Sequence, residues 1–351
     1  MSDKPLEAAA ETLDVALRAV RERPSRAATG DKSPQTRSNA GTVPRGVDRE
    51  LGIAEGLVEL RSNDAVVEVA PGAGGVITRY ARLRGLESLD LFRPALPHAV
   101  ERRVPTDTSC FPLVPFSNRI RDGRFTFDGR EIRLPPNFPP EPHAIHGHGW
   151  QTSWAVSERA DDRLTIGFRH DPDAWPFPYS ARQSLSLSGD ELTVALAVTN
   201  EGDEAMPVGF GLHPYFVRTP RTRISAAVDG VWLSDAGSMP TELVELPADR
   251  RLDRGIDPDD VSLDNNFTGW DGVAEIEWAD RGLRITMTAE GPFEFLVVYT
   301  PPGERFACVE PATNVIDAFN QARTRTDTGT IVLEPGTEVA GAVTFSPEDL
   351  A

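Results

Sequence analysis

The sequence predicts an all-β protein, a large many-stranded antiparallel sandwich folded as a single domain over residues 46–351. Three observations carry this. Apolar and polar residues alternate at period two through most of the chain after residue 50, and helical periodicity is nearly absent there. Turn signals recur about every 8–12 residues, the spacing of sandwiches and barrels. No Pro/Ser-rich linker divides residues 50–351, so one large sandwich fits better than two small ones.

Residues 1–45 differ in character from the rest of the chain. "LEAAAETLDVALRAVRER" allows a short amphipathic helix with Leu13, Leu17 and Val20 on one face. "PSRAATGDKSPQTRSNAGTVPRG" has almost no large apolar residues and is expected to be disordered. The strands then begin. "LVELRSNDAVVEVAP" reads as a hairpin around a polar turn, and "GAGG" at 72–75 as a turn between strands. "RFTFDGREIRL" turns at Asp128-Gly129, a strong hairpin dipeptide. "YSARQSLSLSGDELTVALAVTNEGDE" gives two long alternating runs around Gly189-Asp190. "VAEIEWADRGLRITMTAE" turns at Asp280-Arg281-Gly282, and "PFEFLVVYT", "RFACVE" and "TEVAGAVTFS" complete the set.

Composition narrows the chemistry. The net charge is −18, from 36 basic and 54 acidic residues, which argues against nucleic acid or an anionic membrane as partner. Of the basic residues only Lys4 and Lys32 are lysines, both in the N-terminal segment. The expected domain therefore offers no amine for a Schiff base, either with a sugar carbonyl or with pyridoxal phosphate. Two cysteines, Cys110 and Cys308, make neither a disulfide framework nor a zinc cluster, and read as reduced, buried thiols. With no secretory signal and no apolar run of membrane-spanning length, a cytoplasmic location is expected.

Several segments carry candidate chemistry. "HAIHGHGW" holds three of the six histidines, His143, His146 and His148. In an extended segment His146 and His148 share a face, which suits a metal pair, a sugar-binding site or an ordinary loop. A metal reading would need a further ligand, such as His213 or Glu310. His213 lies in "VGFGLHPYF", where the following proline is expected to place it near a strand end. "CFPLVPFSNRIRDGRF" contains Asn118 and Arg119, an amide and a planar cation suited to polyhydroxy ligands. "SLDNNFTGWDG" sets Asp264 near aromatic residues, the usual means of gripping a sugar. "CVEPATNVIDAFN" places Glu310 among apolar residues before Pro311, as a solvated turn residue or a general base. No serine-hydrolase elbow, P-loop or dinucleotide fingerprint is present.

Taken in order, "PLVPFSNRI", "HAIHGHGW", "GLHPYF", "LDNNF" and "CVEPATNVIDAFN" resemble the motifs of the aldose 1-epimerase (galactose mutarotase) family. The resemblance implies a galactose mutarotase-like β-supersandwich and interconversion of the α and β anomers of an aldose. It implies no cofactor and no metal. It assigns Glu310 as base, His213 as acid, and His146, Arg119, Asn118 and Asp264 as sugar-binding residues. Trp150, Trp270 or Phe116 would stack on the ring. Two positions depart from the galactose enzymes: Pro214, where a polar residue is usual, and His148, where a second glycine is usual. Both bear on the choice of sugar. A free hexose is expected. The alternatives are a hexose 6-phosphate, clamped by Arg121 and Arg124, a metalloenzyme using His146 and His148, and a carbohydrate-binding protein without turnover.

Overall fold

A computed structural model describes residues 56–350. The expected helix around Leu13, Leu17 and Val20, and the boundary at residue 45, lie outside the described residues. Within them the chain forms two large antiparallel sheets of eleven and eight strands, with three two-stranded ribbons. The helix Ala318–Gln321 is one short turn. The all-β expectation holds.

The predicted hairpins form where turn chemistry places them. Arg124–Phe127 pairs with Arg130–Arg133 across Asp128 and Gly129, both at positive φ as a tight two-residue turn requires. Tyr179–Ser188 pairs with Glu191–Asn200, and Val273–Trp278 with Leu283–Glu290. Val58–Arg61 pairs with Ala65–Ala70, and the "GAGG" segment turns between strands.

Period-two alternation turns one face of each sheet to the other. Along Val273–Trp278 and the first six residues of Leu283–Glu290 every second side chain is buried. The sheets share one apolar core, with Ile77, Phe92 and Phe216 on the larger side and Leu185, Val194 and Phe345 on the smaller. The Phe92 ring meets Phe216 and Phe345 edge-on, each at 5.1 Å. Buried polar tips are satisfied across the layers: Trp278 Nε1 donates to Val217 O at 2.7 Å.

The centre of the larger sheet positions the site. There Cys110–Leu113, Gly211–Val217, Phe306–Ala312 and Phe295–Tyr299 lie side by side. Alternation sends Cys110, Leu212, Phe216, Ala307 and Val309 into the core between the sheets. Phe111, His213, Tyr215, Cys308 and Glu310 are their odd-and-even counterparts, so they lie on the opposite face. Phe111, Tyr215 and Cys308 form a second apolar cluster there with Trp150 and Ile145.

Pro214 does not end its strand as expected. Gly211–Val217 runs through it, and His213 lies inside the strand. The Tyr215 N–H donates to Ser109 O, so the Pro214 nitrogen faces the other neighbour, Phe306–Ala312. Pairing with that neighbour skips from Gly211↔Ala312 to Tyr215↔Cys308. The missing N–H therefore falls where the ladder is already interrupted.

Candidate active site

Register brings the acid and base candidates together. Between Gly211↔Ala312 and Tyr215↔Cys308, His213 falls opposite Glu310. Its Nε2 lies 3.2 Å from Glu310 Oε1. Glu310 is 2% exposed and His213 8% exposed. Glu310 Oε2 and His213 Nδ1 are buried without a hydrogen-bond partner among the described residues. Such orphans in a folded interior mark strain or chemistry.

Burial sets the electrostatics. It pushes the Glu310 carboxyl well above the usual carboxylate range; Asp264 adds to this and Arg119 opposes it. It lowers His213 to about 3, with Arg93 and Arg119 acting in the same direction. Both groups are thereby driven toward their neutral forms.

His146 stands beside the pair, its ring 5.4 Å from that of His213. Asn118 and His146 both have positive φ and hold each other. The Asn118 N–H donates to His146 Nδ1 at 3.1 Å, and the His146 N–H donates to Asn118 O at 2.9 Å. An accepting Nδ1 places the proton of neutral His146 on Nε2. Burial lowers the His146 pKa well below its usual value, with His213 and Arg119 adding to the effect. His146 is thus a neutral hydrogen-bond donor.

Arg119 is held by three partners. Its Nε donates to Glu141 Oε2 at 2.9 Å and its Nη1 to Asn118 Oδ1 at 3.2 Å, while Nη1 stands 3.7 Å from Asp264 Oδ2. Asp264 also accepts from Ser238 Oγ at 2.8 Å. All six predicted site residues line one cleft of about 700 Å³, with Trp150, Tyr215, Phe138, Tyr299 and Phe306.

Several expectations are corrected. His148 does not share a face with His146, because the strand there is only Ala144–Ile145 and His146 turns the backbone at φ 59°. His148 Nε2 instead pairs with the Tyr179 hydroxyl at 2.7 Å, and its ring packs on His170. Trp270 and Phe116 belong to the core between the sheets, so of the three stacking candidates Trp150 alone lines the cleft. Arg121 and Arg124 do not line it either. Arg121 lies 3.8 Å from both Asp235 and Asp317.

Residues that hold the site escaped the sequence reading. Arg93 lies over the Tyr215 and Phe306 rings at 4.0 and 4.6 Å, and its Nη2 donates to Thr106 O and Thr108 O. Its position in "LFRPA", before a proline and after two buried apolar residues, was the available signal. Asn314 donates to Ser117 O and accepts from the Ser117 N–H, and Asp317 accepts from the Arg121 N–H. The segment after Glu310 therefore carries the Asn118–Arg119 turn.

Asn137 does the same for His146. Its Nδ2 donates to Ile145 O and Gly147 O at 2.8 and 2.7 Å, and its Oδ1 accepts from the Ile145 N–H at 2.9 Å. Asn137→Ala is expected to destabilise the fold by about 1–3 kcal/mol, through backbone groups left without partners. Urea unfolding measures this. A stability change near zero would mean that these hydrogen bonds do not hold the segment.

Comparison with known proteins agrees with this architecture. The sequence profile of the aldose 1-epimerase family matches residues 57–346. The uncharacterised protein YphB of Escherichia coli K12 is 36% identical over 252 residues, 70% of this chain and 83% of that one. A crystal structure from the same organism, provisionally assigned as an aldose 1-epimerase, superposes with a TM-score of 0.76 at 32% identity, covering 84% of this chain and 99% of that chain. A galactose mutarotase-like protein of Clostridium acetobutylicum superposes with a TM-score of 0.75 over 84% of this chain and 95% of that chain; at 21% identity this speaks to the fold alone. The matched span contains every residue of the cleft. The chain belongs to the aldose 1-epimerase family.

Proposed function

We propose that this protein is a mutarotase that interconverts the α and β anomers of a neutral aldose such as glucose or galactose. The observation that carries the proposal is the buried His213–Glu310 contact of 3.2 Å on the floor of a cleft equipped for hydroxyl groups. Glu310 takes the proton of the C1 hydroxyl. The C1–O5 bond breaks, its electron pair goes to the ring oxygen, and that oxygen takes a proton from His213 Nε2. C1 becomes the carbonyl carbon of the open chain. Rotation about C1–C2 presents the other face, and the two groups exchange roles as the ring closes.

The pair operates with one proton between its two members. Ring opening starts from the arrangement with that proton on His213 and ends with it on Glu310. Burial favours the second arrangement, a protonated Glu310 with a neutral His213. Proton delivery to the ring oxygen thus runs toward the state the site prefers. Each transfer contributes about 10²–10⁴-fold. His146 Nε2–H, the Asn118 amide, Arg119 and Asp264 hold hydroxyls, and Trp150 offers an aromatic face.

A neutral sugar fits the charge of the cleft. Arg93, Arg119 and Arg305 line it together with Asp107, Asp264, Glu304 and Glu310. Arg119 is committed to Glu141 and Asn118, and Arg93 to backbone carbonyls. A dianion would meet acids at the same site.

Polarimetry on freshly dissolved single anomers tests the proposal, with glucose, galactose and glucose 6-phosphate compared at two salt concentrations. No acceleration with any sugar would leave a binding protein without turnover. A preference for the phosphate that weakens with salt would overturn the neutral substrate.

The pH profile is set by the pair. Its second proton enters only as pH falls toward the lowered His213 value of about 3. Its last proton leaves only above the raised Glu310 value. The kcat/KM of the enzyme-catalysed reaction is therefore expected to show no acidic limb in the range where a free histidine, pKa about 6.5, titrates. An acidic limb with a midpoint there would show that the pair is not coupled in this way.

A further inference from the structure

Cys308 is a buried thiol that the mutarotase chemistry does not use. It lies two residues before Glu310 on Phe306–Ala312, so period two turns both side chains to the cleft face. His213 comes to the same face from the neighbouring strand. One donor atom each from His213, Cys308 and Glu310 lies within 4.8 Å of the other two. The His213–Glu310 edge of this triangle is 3.2 Å.

We infer that His213, Cys308 and Glu310 form a binding site for a borderline-soft divalent metal ion, with zinc as the natural probe, and that the ion switches the cleft off. The donors are an imidazole nitrogen, a sulfur and a carboxylate oxygen, the set that zinc favours over magnesium or calcium. Zinc bonds of about 2.0–2.3 Å require neighbouring donors a little over 3 Å apart, and the His213–Glu310 edge already meets this. Cys308 supplies the third corner, its Sγ within 4.8 Å of the other two donors. His213 and Glu310 also line the cleft, so water or a sugar hydroxyl there would complete the fourth position.

The buried, unpartnered atoms of the pair point the same way. Glu310 Oε2 and His213 Nδ1 are buried and have no partner among the described residues, so each side chain keeps a ligand atom not engaged elsewhere in the protein. Binding at the buried Cys308 thiol requires the metal to displace its proton. The inhibition rests on the mutarotase reading, because the ion would occupy both the base and the acid; the binding does not.

The test uses the full, untagged chain, stripped with chelator and dialysed against zinc or cobalt. Expected are one zinc per chain, a thiolate-to-cobalt charge-transfer band in the near ultraviolet, and loss of mutarotation that chelator restores. Cys308→Ser and Cys308→Ala should lose the band, bind zinc more than about 100-fold more weakly, and keep metal-free turnover. Magnesium should have no effect. Two variants are used because one may pack poorly in the buried position. Failure of wild type to take up the metal, or unchanged zinc affinity in a folded Cys308 variant, overturns the site. One zinc per chain with the cobalt band, but no mutarotation on any sugar without metal, upholds the site and removes the mutarotase reading instead.

Discussion

Glu310→Gln is expected to lower enzyme-catalysed mutarotation by about 10²–10⁴-fold while leaving the protein folded. The amide keeps the shape of the side chain and cannot accept the C1 hydroxyl proton. The same substitution has a second, opposite signature in stability. Burial raises the Glu310 pKa in the folded state. The carboxyl's contribution to stability is complete below its unfolded pKa and is lost as pH rises through the folded value. Glutamine does not titrate. The variant should therefore gain stability relative to wild type as pH rises from about 4, the unfolded value. Denaturant unfolding at acidic and at mildly alkaline pH, beside polarimetry at neutral pH, reads both effects. Wild-type turnover in Glu310→Gln would sink the assignment. A variant that loses activity and also loses stability at every pH would make Glu310 a structural residue.

The architecture was legible because alternation is a local signal. Hairpins at Asp128-Gly129 and Gly189-Asp190 require only neighbouring residues, and both form. The cleft's polar centre was legible for a different reason. His213, Glu310 and Asp264 each sit in a short, distinctive segment that resembles a family motif. What spacing could not supply is which face of which sheet a residue occupies. Trp270 follows Asp264 by six residues, yet one lies in the core and the other in the cleft. Arg121 follows Arg119 by two residues, yet the strand ends at Ile120 and Arg121 opens a turn, so it does not share Arg119's place in the cleft. His148 was misread because the extended backbone assumed for it ends at Ile145. Asn137 was missed because its partners are backbone groups, which carry no sequence signature, and Arg93 because only its place in "LFRPA" hinted at the carbonyls and rings it meets.

His213→Asn should reduce turnover by a similar factor, about 10²–10⁴-fold, and the double variant with Glu310→Gln should be little worse than either single one. The reason is the shared proton. With His213 gone, Glu310 can still take the C1 proton, but the ring oxygen has no donor and the bond to C1 cannot break cleanly. With Glu310 gone, the donor remains but the hydroxyl proton has no acceptor. Either loss stops the same step, so the two losses overlap instead of multiplying. Independent roles would give the product of the two factors, a gap of at least about 100-fold between the outcomes. Asparagine keeps a polar group against Phe111 and Tyr215, whose rings lie 4.5 and 4.7 Å from His213, and disturbs packing less than alanine would. The pH profile adds a test that a purely structural role would not pass. Glu310 in His213→Asn no longer shares its proton with an imidazole, so residual activity should rise with pH through the raised Glu310 pKa instead of staying flat. A flat residual profile, or single-variant losses that multiply in the double variant, would separate the two side chains and remove the acid–base pair from the mechanism.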